Sequence, residues 1–128
     1  MDDTIRRALQ RRNIIDITTT GRRTGEPRRI EIVFHSLDGR TYITGMPVPA
    51  KRAWLANLED SPVFTFHFKG TVGTPVVDLP AMARVITSEA ERREVLAKVI
   101  STAWRDQDLE AMVRYSPLIE VTFDQLAA

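Results

Sequence analysis

The sequence predicts a mostly β chain of the α+β class, a small six-stranded antiparallel barrel with helices across its openings. Three observations lead there: six short runs of β-branched or alternating residues, helical patterns after the third and fifth runs, and an Asp38-Gly39 hairpin centre. Closing the sheet removes edges that would otherwise template pairing with other chains. An α+β sandwich is the other arrangement these runs allow.

Taken in order, Asp3 or Thr4 caps a short helix reaching to about residue 12. Ile5, Ala8 and Leu9 share one face of it, and Arg6, Arg7, Arg11 and Arg12 take the other. From Ile14 to Thr20 β-branched residues favour a first strand, and Arg29 to Ser36 alternates as a second. After the Asp-Gly turn, Thr41 to Gly45 returns as a third. Gly45-Met46-Pro47-Val48-Pro49-Ala50 is irregular, because each proline fixes φ and removes a donor. Lys51 to Asp60 then reads as a helix with Trp54, Leu55 and Leu58 inward, stopped by Ser61-Pro62. Val63 to Phe68 is a fourth strand with a Phe face. Residues 69 to 80 look loop-like, with Pro75 to Asp78 able to extend a pairing strand, and Ala81 to Thr87 is a fifth. Ser88-Glu89-Ala90-Glu91 is a capping box opening a helix with Val95, Leu96, Val99 and Ile100 on one face. Asp106 or Asp108 starts a last helix that ends at Tyr115-Ser116-Pro117, and Leu118 to Phe123 closes the chain as a sixth strand.

The 128 residues suit one domain, 1 to 128, large enough to bury about two thirds of its unfolded surface. With 43% hydrophobic and 27% charged residues the composition is that of a globular protein rather than a disordered one. No apolar run nears the ~20 residues of a spanning helix, and the N-terminus lacks a signal-peptide pattern, so a cytoplasmic location is expected. The absence of cysteine excludes disulfides, thiolate metal sites and cysteine nucleophiles. Net charge is only +1, yet eleven of the 18 Lys/Arg and six of the 17 Asp/Glu fall within residues 1 to 52. The basic charge therefore gathers around one stretch.

That stretch is Thr18 to Arg29, a loop between two strands. Gly21 and Gly25 permit positive φ, so backbone N–H groups can converge on an anion, and Thr24 adds a hydroxyl. Arg22, Arg23, Arg28 and Arg29 offer planar forks suited to phosphate or carboxylate; a solvated hairpin loop is the plainer alternative. Lys51 and Arg52 give a second indication, since cations at a helix N-terminus are unfavourable unless an anion neutralises them and the helix dipole together.

Protein-borne catalysis has little support. His35 and His67 lie on predicted strands outside any metal-ligand spacing, and there is no Walker loop, no Gly-x-Ser-x-Gly and no Gly-x-Gly-x-x-Gly. If the chain is an enzyme, a cofactor carries the chemistry. Trp54, Trp104 and Tyr115 could line a ring site, though each also suits a helix core.

Thr-Thr-Gly-Arg-Arg-Thr-Gly-Glu-Pro-Arg-Arg between two strands, followed by Lys51-Arg52-Ala53-Trp54-Leu55-Ala56-Asn57-Leu58 and then a proline, resembles the deazaflavin-dependent nitroreductase family. That family's pattern is Thr-Thr-Gly-Arg-Lys-Ser-Gly with a downstream Pro-Arg, then Lys, a following Trp and Asn-Leu before a proline; the similarity runs from about Ile14 to Ile100. The resemblance implies a split β-barrel of the FMN-binding-like kind and a deazaflavin coenzyme, F-420. It implies contacts from Arg22, Arg23, Thr24, Gly25 and Arg28 to the phosphate and acidic tail, with Lys51 on the same anion. Thr44, Gly45 and Met46 would run beside the ring near Trp54, and Tyr115 on the substrate side is a candidate proton donor. Glu31 stands where the family usually has proline, and the two prolines of residues 45 to 49 replace a Ser- and Gly-rich run.

The activity implied is hydride transfer from reduced deazaflavin to a nitro, quinone or enone acceptor, a small molecule. An FMN-dependent reductase on the same barrel and a non-catalytic carrier of a lipid or other anion are the alternatives. Nucleic acid is not expected, because the arginine loop lacks interleaved aromatics. A homodimer and peripheral membrane contact through the basic N-terminal helix remain open at this point.

Overall fold

The computed structural model describes residues 1–71 and 74–124. Six strands, β1 (Asn13–Thr20), β2 (Pro27–Leu37), β3 (Arg40–Thr44), β4 (Val63–Lys69), β5 (Val76–Val85) and β6 (Leu118–Phe123), close into an antiparallel barrel in the order β1-β2-β3-β6-β5-β4. Local signals set the β1-β2-β3 meander: Thr20 lies opposite Pro27 across the arginine turn, and Leu37 opposite Arg40 across an Asp38-Gly39 turn in which both central residues have positive φ. β6 then inserts between β3 and β5 and completes the closure.

Inward-facing residues alternate along each strand, and Ile15, Ile17, Phe34, Ile43, Phe66, Phe68, Leu79 and Ile119 are almost wholly buried. Phe66 is the hub, edge-on to Phe34, Phe68 and Phe123 with ring centroids 5.4, 5.3 and 5.1 Å away. His67, buried on the barrel's outward face, bridges three strands: its ring meets Thr18 Oγ1 at 2.7 Å and Asp78 Oδ1 at 2.6 Å. Beside it Lys69 and Arg29 both reach Asp16, holding that carboxyl below its ordinary range, Lys69 having the larger effect.

Helix α1 (Asp3–Ala8) is capped by Asp2 rather than by Asp3 or Thr4, and it ends at Leu9, short of residue 12. Ala8 and Leu9 join the barrel core and Ile5 packs against it, so the apolar face that could have met a membrane is covered by the protein itself. Among the described residues no helix is long and apolar enough to cross a membrane. α2 (Ala53–Asp60) lies between β3 and β4. α3 (Glu89–Thr102), capped by Ser88, and α4 (Leu109–Tyr115), capped by Asp108, pack between β5 and β6 in chain order. Val95, Leu96, Val99, Met112 and Leu118 form a second core there with Tyr42.

β5 differs from its expected form. It runs through Pro80 as one strand, whereas residues 69 to 80 read as mainly loop; of that run, residues 72 and 73 lie outside the described residues. Pro80 is tolerated because β6 pairs with β5 only from Ala81 onward, so the strand has an unpaired side where the proline sits.

Candidate functional site

Two cavities flank α2. The larger, about 470 Å³, is lined by Thr19, Gly21, Arg22, Arg23, Thr24, Arg28, Arg29 and Ile30 from the β1–β2 region and by Ala53, Trp54 and Asn57 of α2. Among the described residues no carboxylate pairs with Arg22, Arg23 or Arg28, whereas Arg29 is held by Asp16 at 2.9 Å. The sequence therefore brings together most of the predicted anion-binding residues, with Trp54 as one apolar wall.

The turn achieves this differently from the expected ring of N–H donors. Gly21 donates to Glu26 O and Gly25 to Gly21 O, both at 2.8 Å, so those amides close the loop on itself instead of facing a ligand. Only Gly25 has positive φ, at 73°; Gly21 is needed because a Cβ there would meet Glu26 O at 3.0 Å. Thr24 Oγ1 accepts from Glu26 N at 3.2 Å, leaving its own O–H free to donate outward. Gly25 borders a separate shallow cavity of about 300 Å³ with Thr18, Pro27 and Val63.

Asn57 anchors the turn. Buried in α2, its Oδ1 accepts from the Arg22 backbone N–H at 3.2 Å, and its Nδ2 donates to Thr19 Oγ1 at 3.1 Å. The sequence places it in the Asn-Leu pair of the family pattern without a role, although a polar residue between inward-facing Trp54 and Leu58 must find partners when buried. A second signal comes from the caps. Asp2, Ser88 and Asp108 cap α1, α3 and α4 through their side chains, but α2 opens at Arg52 with no side-chain cap and no acidic residue in its first turn. Among the described residues its first N–H groups and positive dipole end therefore meet no side-chain cap and no acidic residue of their own turn.

The second cavity, about 320 Å³, lies on the opposite flank and is lined by Pro49 to Arg52, Leu55, Glu59, Val85 to Thr87, Arg92 and Arg114 to Leu118. Lys51 belongs here and is ion-paired to Glu59, so the structure does not bring it to the arginine cavity: from just before α2 it reaches along the helix to a carboxylate near its end. Tyr115 is 39% exposed with the Arg114 guanidinium 5.2 Å from its ring centroid. Trp104 is elsewhere, edge-on to His35 at 4.9 Å. Burial holds that imidazole neutral, with its pKa lowered to about 4, and nearby Arg12 acts in the same direction.

Gly45 lies where the loop crosses toward α2. A Cβ on it would stand 3.1 Å from Arg52 Nη2 and 3.2 Å from Pro117 Cγ, so glycine lets that guanidinium lie against the end of β3 and donate to Met46 O at 2.6 Å. Thr44 Oγ1 donates to Pro117 O at 2.5 Å, tying β3 to the approach of β6, while Met46 is exposed. Arg92 braces the same corner. It donates to the carbonyls of Ile86, Met112, Val113 and Ser116, which satisfies the C-terminal end of α4 and fixes the segment carrying Tyr115 and Ser116.

The sequence profile of the family described as F420H(2)-dependent quinone reductase matches residues 1–118. The chain belongs to that family. As a member of this quinone reductase family it is a deazaflavin-dependent oxidoreductase, and coenzyme F-420 is its cofactor. No curated protein matches it. Among solved structures it is similar to a putative 5-nitroimidazole antibiotic resistance protein from Bacteroides thetaiotaomicron, at 18% identity over 97% of this chain and 81% of the other, TM-score 0.68. It is also similar to an F420-H2 dependent reductase (FDR-A), at 19% identity over 85% and 93%, TM-score 0.60. A domain-swapped dimer matches at 20% identity over 85% and 79%, TM-score 0.62. At these identities the likeness shows the fold, the FMN-binding-like split barrel anticipated from the residue pattern.

Proposed function

We propose that this quinone reductase family member reduces a small quinone, nitro or enone acceptor, with the coenzyme's phosphate and acidic tail in the arginine cavity and the acceptor beside α4. The observation that carries the placement is the cluster of Arg22, Arg23 and Arg28 without carboxylate partners in one cavity beside an uncapped helix. Such a donor set matches the coenzyme's anionic tail, because guanidinium forks bind phosphate and carboxylate bidentately.

Reduced deazaflavin supplies the hydride. The chain's own residues bind, orient and shield. Arg22, Arg23 and Arg28 neutralise the tail, and the Thr24 hydroxyl adds a donor. Asn57 keeps the turn in place, and Trp54 excludes water from one wall. Reduction of a quinone consumes one hydride and one proton; in this reading the Tyr115 phenol, which lines the second cavity, gives that proton and is reprotonated from solvent. Thr44, Gly45 and Met46 line neither cavity, and Arg52 and Pro117 crowd Gly45, so their expected contact with the ring has no support from the cavity geometry.

Fluorescence titration with reduced coenzyme F-420 tests the placement. Saturable binding is expected at tens of micromolar, weakened by Arg22→Ala; absence of binding sinks the reading. The domain-swapped dimer among the similar structures supports self-association, for which light scattering at several concentrations is the check.

A further inference from the structure

Beyond the family's chemistry, the cavity beside α4 has a donor pattern that a neutral quinone would leave unused. Ser116 is 3% exposed, and its Oγ sits buried in the wall without a hydrogen-bond partner. Arg52 lines the same cavity. Its Nη2 is spent on Met46 O, but its Nη1 is buried and unpartnered. A buried donor left unsatisfied is costly, more so when it is charged, so two in one wall call for an acceptor from outside the chain. Arg114 adds a third donor group, a guanidinium at the rim with no carboxylate partner among the described residues. The lone carboxylate of the lining, Glu59, is engaged by Lys51. The Arg92 guanidinium is used up on four carbonyls. Leu55, Val85, Ile86 and Leu118 supply an apolar side against these donors.

We propose that this cavity selects a ring-bearing acceptor that carries a carboxylate, the ring resting on the apolar side and the carboxylate taken by Ser116, Arg52 and Arg114. The inference rests on the assignment of this cavity to the acceptor, but carboxylate binding itself needs no coenzyme. Charge selects here because desolvated donors discriminate far more strongly than apolar walls do.

The test is calorimetric titration of the coenzyme-free protein with 2-naphthoate and with 2-naphthamide, a neutral analogue of the same shape. Naphthoate is expected to bind at least about tenfold more tightly, the factor that one charge-assisted hydrogen bond provides. Arg114→Gln and Ser116→Ala should each remove about fivefold or more of that preference, while Arg22→Ala leaves it intact. Circular dichroism and a urea midpoint confirm that each variant is folded. Equal binding of the two probes overturns the proposal. So does a preference that survives both cavity variants, or one that disappears with Arg22→Ala, which would place the carboxylate in the other cavity. Failure of the wild-type chain to bind F-420, or full F-420 affinity in Arg22→Ala, with the naphthoate preference retained, would instead refute the coenzyme placement alone.

Discussion

Two populations of guanidinium divide the surface of this barrel. Toward α3, Arg84 is gripped by Glu91 and Glu120, and Arg93 by Glu89 and Glu110, with oxygens as near as 2.5 Å. Around α2, Arg22, Arg23, Arg28, Arg52 and Arg114 line cavities with no carboxylate on any of them among the described residues. The same residue type thus does two jobs. Where carboxylates answer it, the charge is internally balanced and raises the guanidinium's affinity for its own proton, as at Arg84 and Arg93. Where nothing answers it, the charge is available to a ligand, so a net charge of +1 conceals a strongly cationic quarter of the molecule.

The sharpest way to break this division is to remove both kinds of arginine in parallel. Arg22→Ala with Arg28→Ala should weaken F-420 binding by about 100-fold or more, since hydrogen bonds to charged groups contribute roughly 1.5–3 kcal/mol each. Arg84→Ala with Arg93→Ala should leave that affinity within about twofold. Fluorescence titration at two salt concentrations reads both, and only the first pair should flatten the salt dependence.

His35 supplies the next largest effect, and it separates burial from ion pairing as a source of pH dependence. Its folded pKa, about 4, lies below the unfolded value of 6.5, so its contribution is complete above pH 6.5 and is lost as pH falls toward 4. The loss amounts to about 3 kcal/mol. His35→Leu should remove the slope of the urea-unfolding free energy over that window. The acidic limb left below it then belongs to the paired carboxylates, Asp16 and Glu91 among them, whose pKa values their cationic partners lower.

Asn57→Ala should cost about 1–3 kcal/mol in urea unfolding, because Arg22 N and Thr19 Oγ1 would lose their buried partner. F-420 affinity should fall as well, since the turn loses its anchor. Smallest is Arg84→Ala, which should cost under about 1 kcal/mol at pH 7, because its guanidinium is itself half exposed although Glu120 is largely covered. A loss as large as that of Asn57→Ala would mean that the paired side is a structural keystone after all.

Local chemistry made much of this molecule readable before its coordinates. Asp-Gly at 38 and 39, the Phe alternation of β4, and the Ser88 and Asp108 caps each act within a few residues, and their elements stand where their residues predict them. The arginine turn was legible for the same reason. What composition could not reveal is long-range. The insertion of β6 between β3 and β5, the tolerance of Pro80 and the capture of Lys51 by Glu59 depend on what each segment meets in space. Ser116 and Arg52 were invisible as a pair for that reason, being far apart in sequence and joined only by the closing of the barrel.

The position of β6 also governs when the fold can exist. A chain that has produced everything up to Tyr115 holds β3 and β5 as two raw edges, because the strand that joins them comes last. Such open edges invite pairing with other chains. Closure must bring Leu118 to Val121 back to partners at Thr41 to Thr44, a loop of more than seventy residues, and long loops slow the search for native contacts. Pro117 and Leu118 wall the cavity beside α4, so the final ligation of the barrel and the birth of that cavity are one event during synthesis.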